Sequence, residues 1–488
     1  DNELIPSVIL FFHSFFLVTV IISSKTLRDA FFLSRYDNNL LPFMYILTAL
    51  IMWKGVPFIQ KSFKGDLLQH NITLHSMFVI GTLLFLVLNT GIFIPILYLW
   101  VEIMTTLMGM KFWEVATNVF NNRQGKRLFG VVTAGGSISG ILTGISISKI
   151  VVYGTESLII ITSLGVVICI LLIYLIKNNF SSLGKGVKPP VIAQQFKFSK
   201  LEPFIVHILS IVVLLALLST FIDYQFKIDI ANQFSSEVEM IKFFGYFYTI
   251  TGILSVIIQL FFSGRILSYF GISSGIGSYP LLIIIGSISF IFFTPFFAVA
   301  LFKGVDQILK PTMLGTTMEL LWLPVSTKKK KLIKPFFNTT IKPLFQSLAA
   351  FTIIIFSLMN FGSGPIYLII IIISFILISI IMKTKSFYYQ AVNDSIDSRQ
   401  LDIDDLNIDL TLPTMQDSIK IQLDSKDKFS LLFVIDLIKH ELIDPWIEQL
   451  KNLKSTSDED IHYTLVNNFG MNSKLFSTQE LHEITELN

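Results

Sequence analysis

Cysteine is almost missing from this chain: among 488 residues there is one, Cys169. An intrachain disulfide is therefore excluded, and no cysteine-based metal cluster is expected. Charge is scarce as well. Only 15% of residues are Asp, Glu, Lys or Arg, against about 25% in a soluble domain. The sequence has no cleavable signal pattern ahead of its first apolar run and no glycine-rich phosphate loop, because Gly135-Gly136-Ser137 is not followed by lysine. Its seven histidines show no ligand spacing, and His13 reads as an interior residue rather than a metal ligand. No paired-carboxylate or Ser/His/Asp arrangement is present, so an enzyme is not expected, and neither is a cofactor or a resident metal. The chain begins at Asp1 rather than Met, from which a missing natural start is expected.

What is abundant is apolar length. Hydrophobic residues make up 52% of the chain, with 46 phenylalanines. A bilayer core needs about 20 mostly apolar helical residues to cross it. Twelve stretches meet that need, near 5–24, 40–59, 73–92, 94–120, 127–152, 156–176, 203–223, 240–263, 274–293, 294–322, 335–359 and 364–383. Twelve in succession cannot be fitted around soluble cores. The expected fold class is an all-α membrane protein.

Lysine and arginine recur in alternate loops: Lys54, Lys61 and Lys64; Arg123, Lys126 and Arg127; Lys177 to Lys200; Arg265; Lys328 to Lys334; Lys383 and Lys385. The positive-inside bias puts these loops and both ends of the chain in the cytoplasm, with a bacterial inner membrane as the expected setting. With a long basic middle loop this gives two six-helix halves, the major facilitator layout. The expected division is 1–176 and 203–383 for the halves, 177–202 for the middle loop, 384–425 for an acidic linker and 426–488 for a small helical tail.

An internal repeat supports two halves. Glu114 to Gly130 and Glu319 to Pro335 each end one span and enter the next at an offset of 205 residues, superposing Glu114 on Glu319 and Lys126 on Lys331. Spans one and seven end alike, with Arg28-Asp29 in one and Asp223 and Lys227 in the other.

Several charges fall inside spans: Glu102, Lys111 and Glu114 on the fourth, Asp306, Lys310 and Glu319 on the tenth, Lys342 on the eleventh. Each costs about 2.5–3.5 kcal/mol at the bilayer centre on insertion scales, so such groups face a cavity or a partner. Asp306 and Lys310 are four apart and share a helical face, where a structural ion pair would also account for them. A mixed-charge cavity with several cations suits a large anionic solute such as a phosphate ester. Gly136, Gly140 and Gly144 recur every fourth residue on span five, which permits close helix packing, static or sliding.

Lys25-Thr26-Leu27-Arg28-Asp29 followed by Leu41-Pro42-Phe43 resembles the first-span signature of the non-mitochondrial ATP/ADP translocase family. Leu99-Trp100-Val101-Glu102, Phe112-Trp113 with Asn118, and Lys126-Arg127-Leu128-Phe129 are similar to that family's fourth span and the loop behind it. The resemblance implies a twelve-span transporter that exchanges nucleotides or imports them with protons. Its implied substrate residues fall on Lys25, Arg28, Glu102, Trp113 and Asn118, and Glu114 is added to them as a charge inside the same span. In the second half Asp306, Lys310, Glu319 and Lys342 join them as candidates. Arg28 stands where the family has lysine, and the tryptophan precedes Glu102 rather than following it.

Beyond Lys385 the composition turns acidic, and from Lys426 it turns helical, with Pro445 opening one helix and Gly470 closing another. Such paired short helices look like HEAT-type repeats. Two functions are therefore weighed: a secondary transporter for a nucleotide or similar phosphorylated anion working in the lipid bilayer, and a transporter-derived membrane subunit that holds a protein partner through its tail. No nucleic-acid partner is expected.

Overall fold

The computed structural model describes residues 3–476 apart from 63–66, 88–90, 92, 121, 180–201, 289–294, 323, 363, 398–412, 425–427, 440–441, 455–457, 471 and 473. The expected middle loop and acidic stretch fall largely on 180–201 and 398–412, outside the described residues. So do the side chains of 121–127, on which the pairing of Lys126 with Lys331 depends.

Each apolar stretch read from the sequence is helical. The first six are α1 (Leu4–Arg35), α2 (Leu41–Ser62), α3 (Leu67–Val87), α4 (Phe93–Val119), α5 (Asn122–Ile150) and α6 (Ser157–Asn179). The next three are α7 (Pro203–Gln233), α8 (Glu237–Ile258) and α9 (Gly264–Ile288). Span ten is α10 (Pro295–Leu309), a π turn over Lys310–Leu314, and α11 (Gly315–Leu321). Span eleven is α12 (Thr327–Phe336), a π turn over Phe337–Ile341, and α13 (Lys342–Leu358), and span twelve is α14 (Gly364–Met382). Eight of these helical runs, among the described residues, are long and apolar enough to cross a membrane.

The helices exceed the apolar runs at the ends where charges cluster. α1 was expected to end near residue 24 and continues to Arg35; α7 was expected to end near 223 and continues to Gln233. Both extensions are possible because their charged residues are paired inside the bundle, which removes the penalty that a hydropathy limit assumes. Around the outside Ile80, Leu84, Leu164, Ile250, Leu254, Leu368 and Phe375 are exposed, the wall a bilayer would cover.

The two halves meet along α5 against α8, α2 against α13, and α1 against α7 and α8. The glycine stripe sits on this seam. A Cβ on Gly144 would stand 2.4 Å from Thr249 Oγ1 and 2.6 Å from the carbonyl oxygen of Gly245, and one on Gly245 would stand 2.8 Å from the carbonyl oxygen of Gly144. Gly136 faces Ser14 and Val18 of α1 instead, so α5 uses its small residues in two directions, toward its own half and across to the other.

The acidic linker expected over 384–425 is helical at both ends, as α15 (Thr384–Asp397) and α16 (Pro413–Leu423). α15 is held to α7 by the His207 Nε2 to Thr384 Oγ1 hydrogen bond, 2.8 Å, and by stacking of His207 on Phe387 at 4.6 Å. Those aromatic contacts order a segment whose composition alone reads as solvated. α16 packs on α9 and then joins α17 (Lys428–Leu437), α18 (Ile447–Lys454) and α19 (Glu459–Phe469). These four share one core of Ile419, Val434, Ile435, Leu450 and Leu465 closed over Trp446, whose Nε1 donates to the Gln416 carbonyl at 3.1 Å. The tail is a small helical unit seated on the chain's own α9 through α16, with α15 leading into it along α7 and α9.

Candidate functional site

α1, α4, α7 and α10 bring their buried charges to one place between the halves. Arg28 lies between Asp29, at 2.8 Å, and Glu102, with its guanidinium 4.2 Å from the ring centre of Tyr98. Lys25 also reaches Glu102, at 3.1 Å. From Asp29 the chain of contacts crosses to the other half through Lys227, at 3.4 Å, which continues to Asp223 at 2.9 Å and to the Tyr98 hydroxyl at 3.2 Å. Asp223 accepts from Tyr45 of α2 at 2.9 Å and pairs with Lys303 at 2.6 Å. Lys303 lies 3.7 Å from Asp306, which pairs with Lys310 at 2.7 Å and accepts from the Tyr279 hydroxyl of α9 at 2.6 Å. Lys310 also donates to Ser219. Five cations thus share four carboxylates, Asp29, Glu102, Asp223 and Asp306.

The order of these groups follows from helix register. Side chains three, four and seven apart lie on one face, so Lys303 and Asp306 of α10 and Lys310 at the start of its π turn form a line, and Asp223 and Lys227 form another on α7. Exposure is uneven along the network and highest at its two ends. The side chains of Arg28, Asp29, Lys227 and Asp306 are 4–7% exposed, whereas Lys25 is 30% and Lys310 35% exposed. Lys342 of α13 is exposed too, yet it lies within electrostatic reach of Lys310, Asp306, Lys25 and Glu102. That combination describes a side chain in an open crevice rather than on the outer wall. Beyond the network, toward the α1–α2 and α7–α8 turns, further contacts join the halves, Arg35 with Glu237 and Ser357 with Asn39.

Both crevice lysines of the second half precede a proline at a π turn. Lys310-Pro311 opens the turn over Lys310–Leu314, and Lys342-Pro343 follows the turn over Phe337–Ile341. Proline lacks an N–H and its ring clashes with the carbonyl four residues back, and the wider π turn accommodates both defects. The repeated Lys-Pro dipeptide inside an apolar span was legible in the sequence.

Of the residues singled out from the sequence, Lys25, Arg28, Glu102, Asp306, Lys310 and Lys342 come together here. Trp113, Glu114, Asn118 and Glu319 do not join them. Glu114 pairs with Lys111 at 2.6 Å, Asn118 donates to the Glu114 carbonyl, and Trp113 is exposed beside Phe112 and Phe129. Twelve residues separate Glu102 from Glu114, about 18 Å along a helix. Glu319 is exposed and pairs with Lys334 at 2.6 Å. The sequence reading also passed over Lys303, Tyr45, Tyr98 and Tyr279. Lys303 is three residues before Asp306 and could have been found by spacing. The tyrosines look apolar in a hydropathy profile, and only packing shows their hydroxyls.

No protein-family model and no curated protein matches this sequence. Solved structures do. A POT family transporter in complex with 5-aminolevulinic acid superposes with a TM-score of 0.55 at 13% identity, covering 79% of this chain and 96% of the other. A POT family transporter in complex with a thioalcohol conjugated peptide gives 0.51 at 13% identity, with the same coverage. The POT family transporter PepTSo gives 0.51 at 9% identity, covering 77% of this chain and 98% of the other. With such identities the likeness is one of fold: this chain is an all-α, multi-pass membrane protein with the major facilitator architecture of those transporters and a small helical tail.

Proposed function

We propose that this protein is a secondary transporter for a phosphorylated organic anion, with a nucleotide as the member of that class implied by the sequence resemblance. The observation that carries the reading is the set of partly exposed lysines, Lys25, Lys310 and Lys342, on the open face of a network whose deeper charges are already compensated. Lys25 and Lys310 draw on carboxylates that they share with other cations, and among the described residues Lys342 has none within ion-pair distance, so an anion entering the crevice supplies the missing negative charge. The neighbour solved with 5-aminolevulinic acid holds a small solute in the same fold. A crevice between two halves, closed at one end and open at the other, is the arrangement that alternating access requires.

In this reading Arg28 positions Glu102 and supports the crevice from behind, because its fork is taken by Asp29 and Glu102. Lysine would be a poor replacement, since one ammonium cannot reproduce a planar two-sided fork. Orientation follows the positive-inside bias, with the crevice open to the cytoplasm. An impermeant thiol reagent applied from outside should label a cysteine placed at Ser236 and spare one placed at Thr327; the reverse pattern would invert the topology.

The functional test is uptake and binding of radiolabelled nucleotides in proteoliposomes. Lys310→Gln and Lys342→Gln should each weaken binding by about tenfold or more, the scale of one charge-assisted contact. Lys111→Gln, paired with Glu114 outside the crevice, should leave binding unchanged. Nucleotide affinity that survives both crevice substitutions in folded protein removes this site.

A further inference from the structure

A second polar cluster lies within the first six helices, away from the charge network. His13 of α1, His75 of α3 and Cys169 of α6 are all fully buried, and one ligand-type atom from each lies within 4.8 Å of the other two. Both ring nitrogens of His13 and Nε2 of His75 have no hydrogen-bond partner. A buried polar group left unpaired costs about 1–3 kcal/mol, so three such nitrogens in one spot are expensive unless something occupies the space between them. His75 is also oriented: its Nδ1 lies 2.8 Å from the carbonyl oxygen of Asn71. That bond places the proton on Nδ1 and leaves the Nε2 lone pair free, the arrangement found at metal-bound imidazoles. Phe112 packs on His13 with ring centres 5.3 Å apart and helps close the layer.

We propose that His13, His75 and Cys169 bind a single copper ion, held as Cu(I). The expectation from the sequence, that His13 is an ordinary interior residue and that the lone cysteine implies no metal, is thereby revised: three helices bring together ligands that are 62 and 94 residues apart in the chain. Donors on one ion lie about 2.0–2.3 Å from it and hence about 3.5 Å from each other, so small side-chain rotations bring the cluster to ligating distance. Two imidazoles and one thiolate form the trigonal set that soft, copper-binding sites use. Charge selects the oxidation state and the metal. On binding, Cys169 gives up its thiol proton to solvent and forms the sulfur–copper bond; one thiolate, two neutral imidazoles and Cu(I) then sum to zero. Zinc in the same place would leave a net positive charge in an apolar layer and would lack the fourth ligand it prefers.

The test uses the full chain in detergent, loaded anaerobically with Cu(I) and challenged with a chromogenic Cu(I) chelator. The expected result is one copper retained per chain, with sulfur and nitrogen neighbours in its X-ray absorption spectrum. Cys169→Ser and His75→Gln should each lower Cu(I) affinity by at least a hundredfold. His13→Gln provides a third variant should either of those fail to fold, and monodispersity on size exclusion checks each one. Retention of zinc in preference to copper, no retained metal, or equal copper retention by folded Cys169→Ser protein would each overturn the assignment.

Discussion

The two ends of the helical bundle are held together by different chemistry. At the end of the α1–α2 and α7–α8 turns, the halves are fastened by Arg35 with Glu237, by Ser357 donating to Asn39 at 2.7 Å, and by backbone contact between Gly144 and Gly245. At the other end the described ion pairs stay within one half: Lys111 with Glu114, Lys334 with Glu319, and Lys329 with Glu202. The first end is fastened as a gate, and at the second, the mouth, no described ion pair joins the halves. In the transport reading proposed above, the protein need not break its core to move; it only has to exchange which end carries contacts between the halves. Between the ends lies the charge network, where Lys227 with Asp29 and Tyr45 with Asp223 bridge the halves at the middle.

The largest effect is expected where that middle is broken. Asp223→Asn removes the carboxylate shared by Lys227, Lys303 and Tyr45, leaving two buried lysines short of a partner. A loss of about 3–5 kcal/mol is expected, read as a lower thermal midpoint in detergent. If the midpoint is unchanged, the network is not what joins the halves. A smaller effect is expected at the seam. Gly144→Ala places a methyl group against Thr249 and Gly245, an overpacking cost of about 1–3 kcal/mol that falls on the closed gate alone. Cysteines near the gate should become more reactive to external reagents and those near the mouth less so. Equal reactivity at both ends would show that α5 and α8 do not control the gate.

Weaker still is the latch between Arg35 and Glu237, whose side chains are partly exposed. Glu237→Gln should shift the balance between closed and open gates by no more than about 1 kcal/mol, roughly fivefold in population, and less at high salt. Double electron–electron resonance between labels on the two halves would measure it.

The smallest effect concerns the tail. Asp458 caps α19 through the backbone N–H groups of Asp460 and Ile461, and Lys428 at 2.8 Å holds its carboxyl below the usual carboxylate range. A depressed carboxyl stabilises the folded tail fully above its unfolded value, about 3.9, and progressively less as pH falls through the lower folded value. Amide exchange in α19 should therefore quicken on acidification below about pH 4, with no change in the gate. Coupling of the two would mean that the tail helps to hold the closed end.

Hydropathy located the spans because an apolar helix in lipid has no alternative conformation. Helical spacing alone also revealed the pair of Asp306 with Lys310. The rest of the network depends on which helix faces which, and a single sequence does not record that: nothing near Asp29 indicates that Lys227, 198 residues away, lies 3.4 Å from it. Of the residues quoted for the resemblance to nucleotide translocases, Lys25, Arg28 and Glu102 lie in one cluster, whereas Trp113 and Asn118 lie elsewhere on the same helix, because a motif can run along a helix for several turns and a cluster occupies only one or two of them.

The tail rests on α7 and α9, both belonging to the second half. If the halves rock as the proposed transport requires, the tail is cargo on one arm of a hinge and swings past the first half by a distance that grows with its separation from the pivot, converting a small rotation at the centre into a larger stroke at the surface. A molecule that tied the tail to the first half would act as a wedge in that hinge and stop the cycle without touching the crevice.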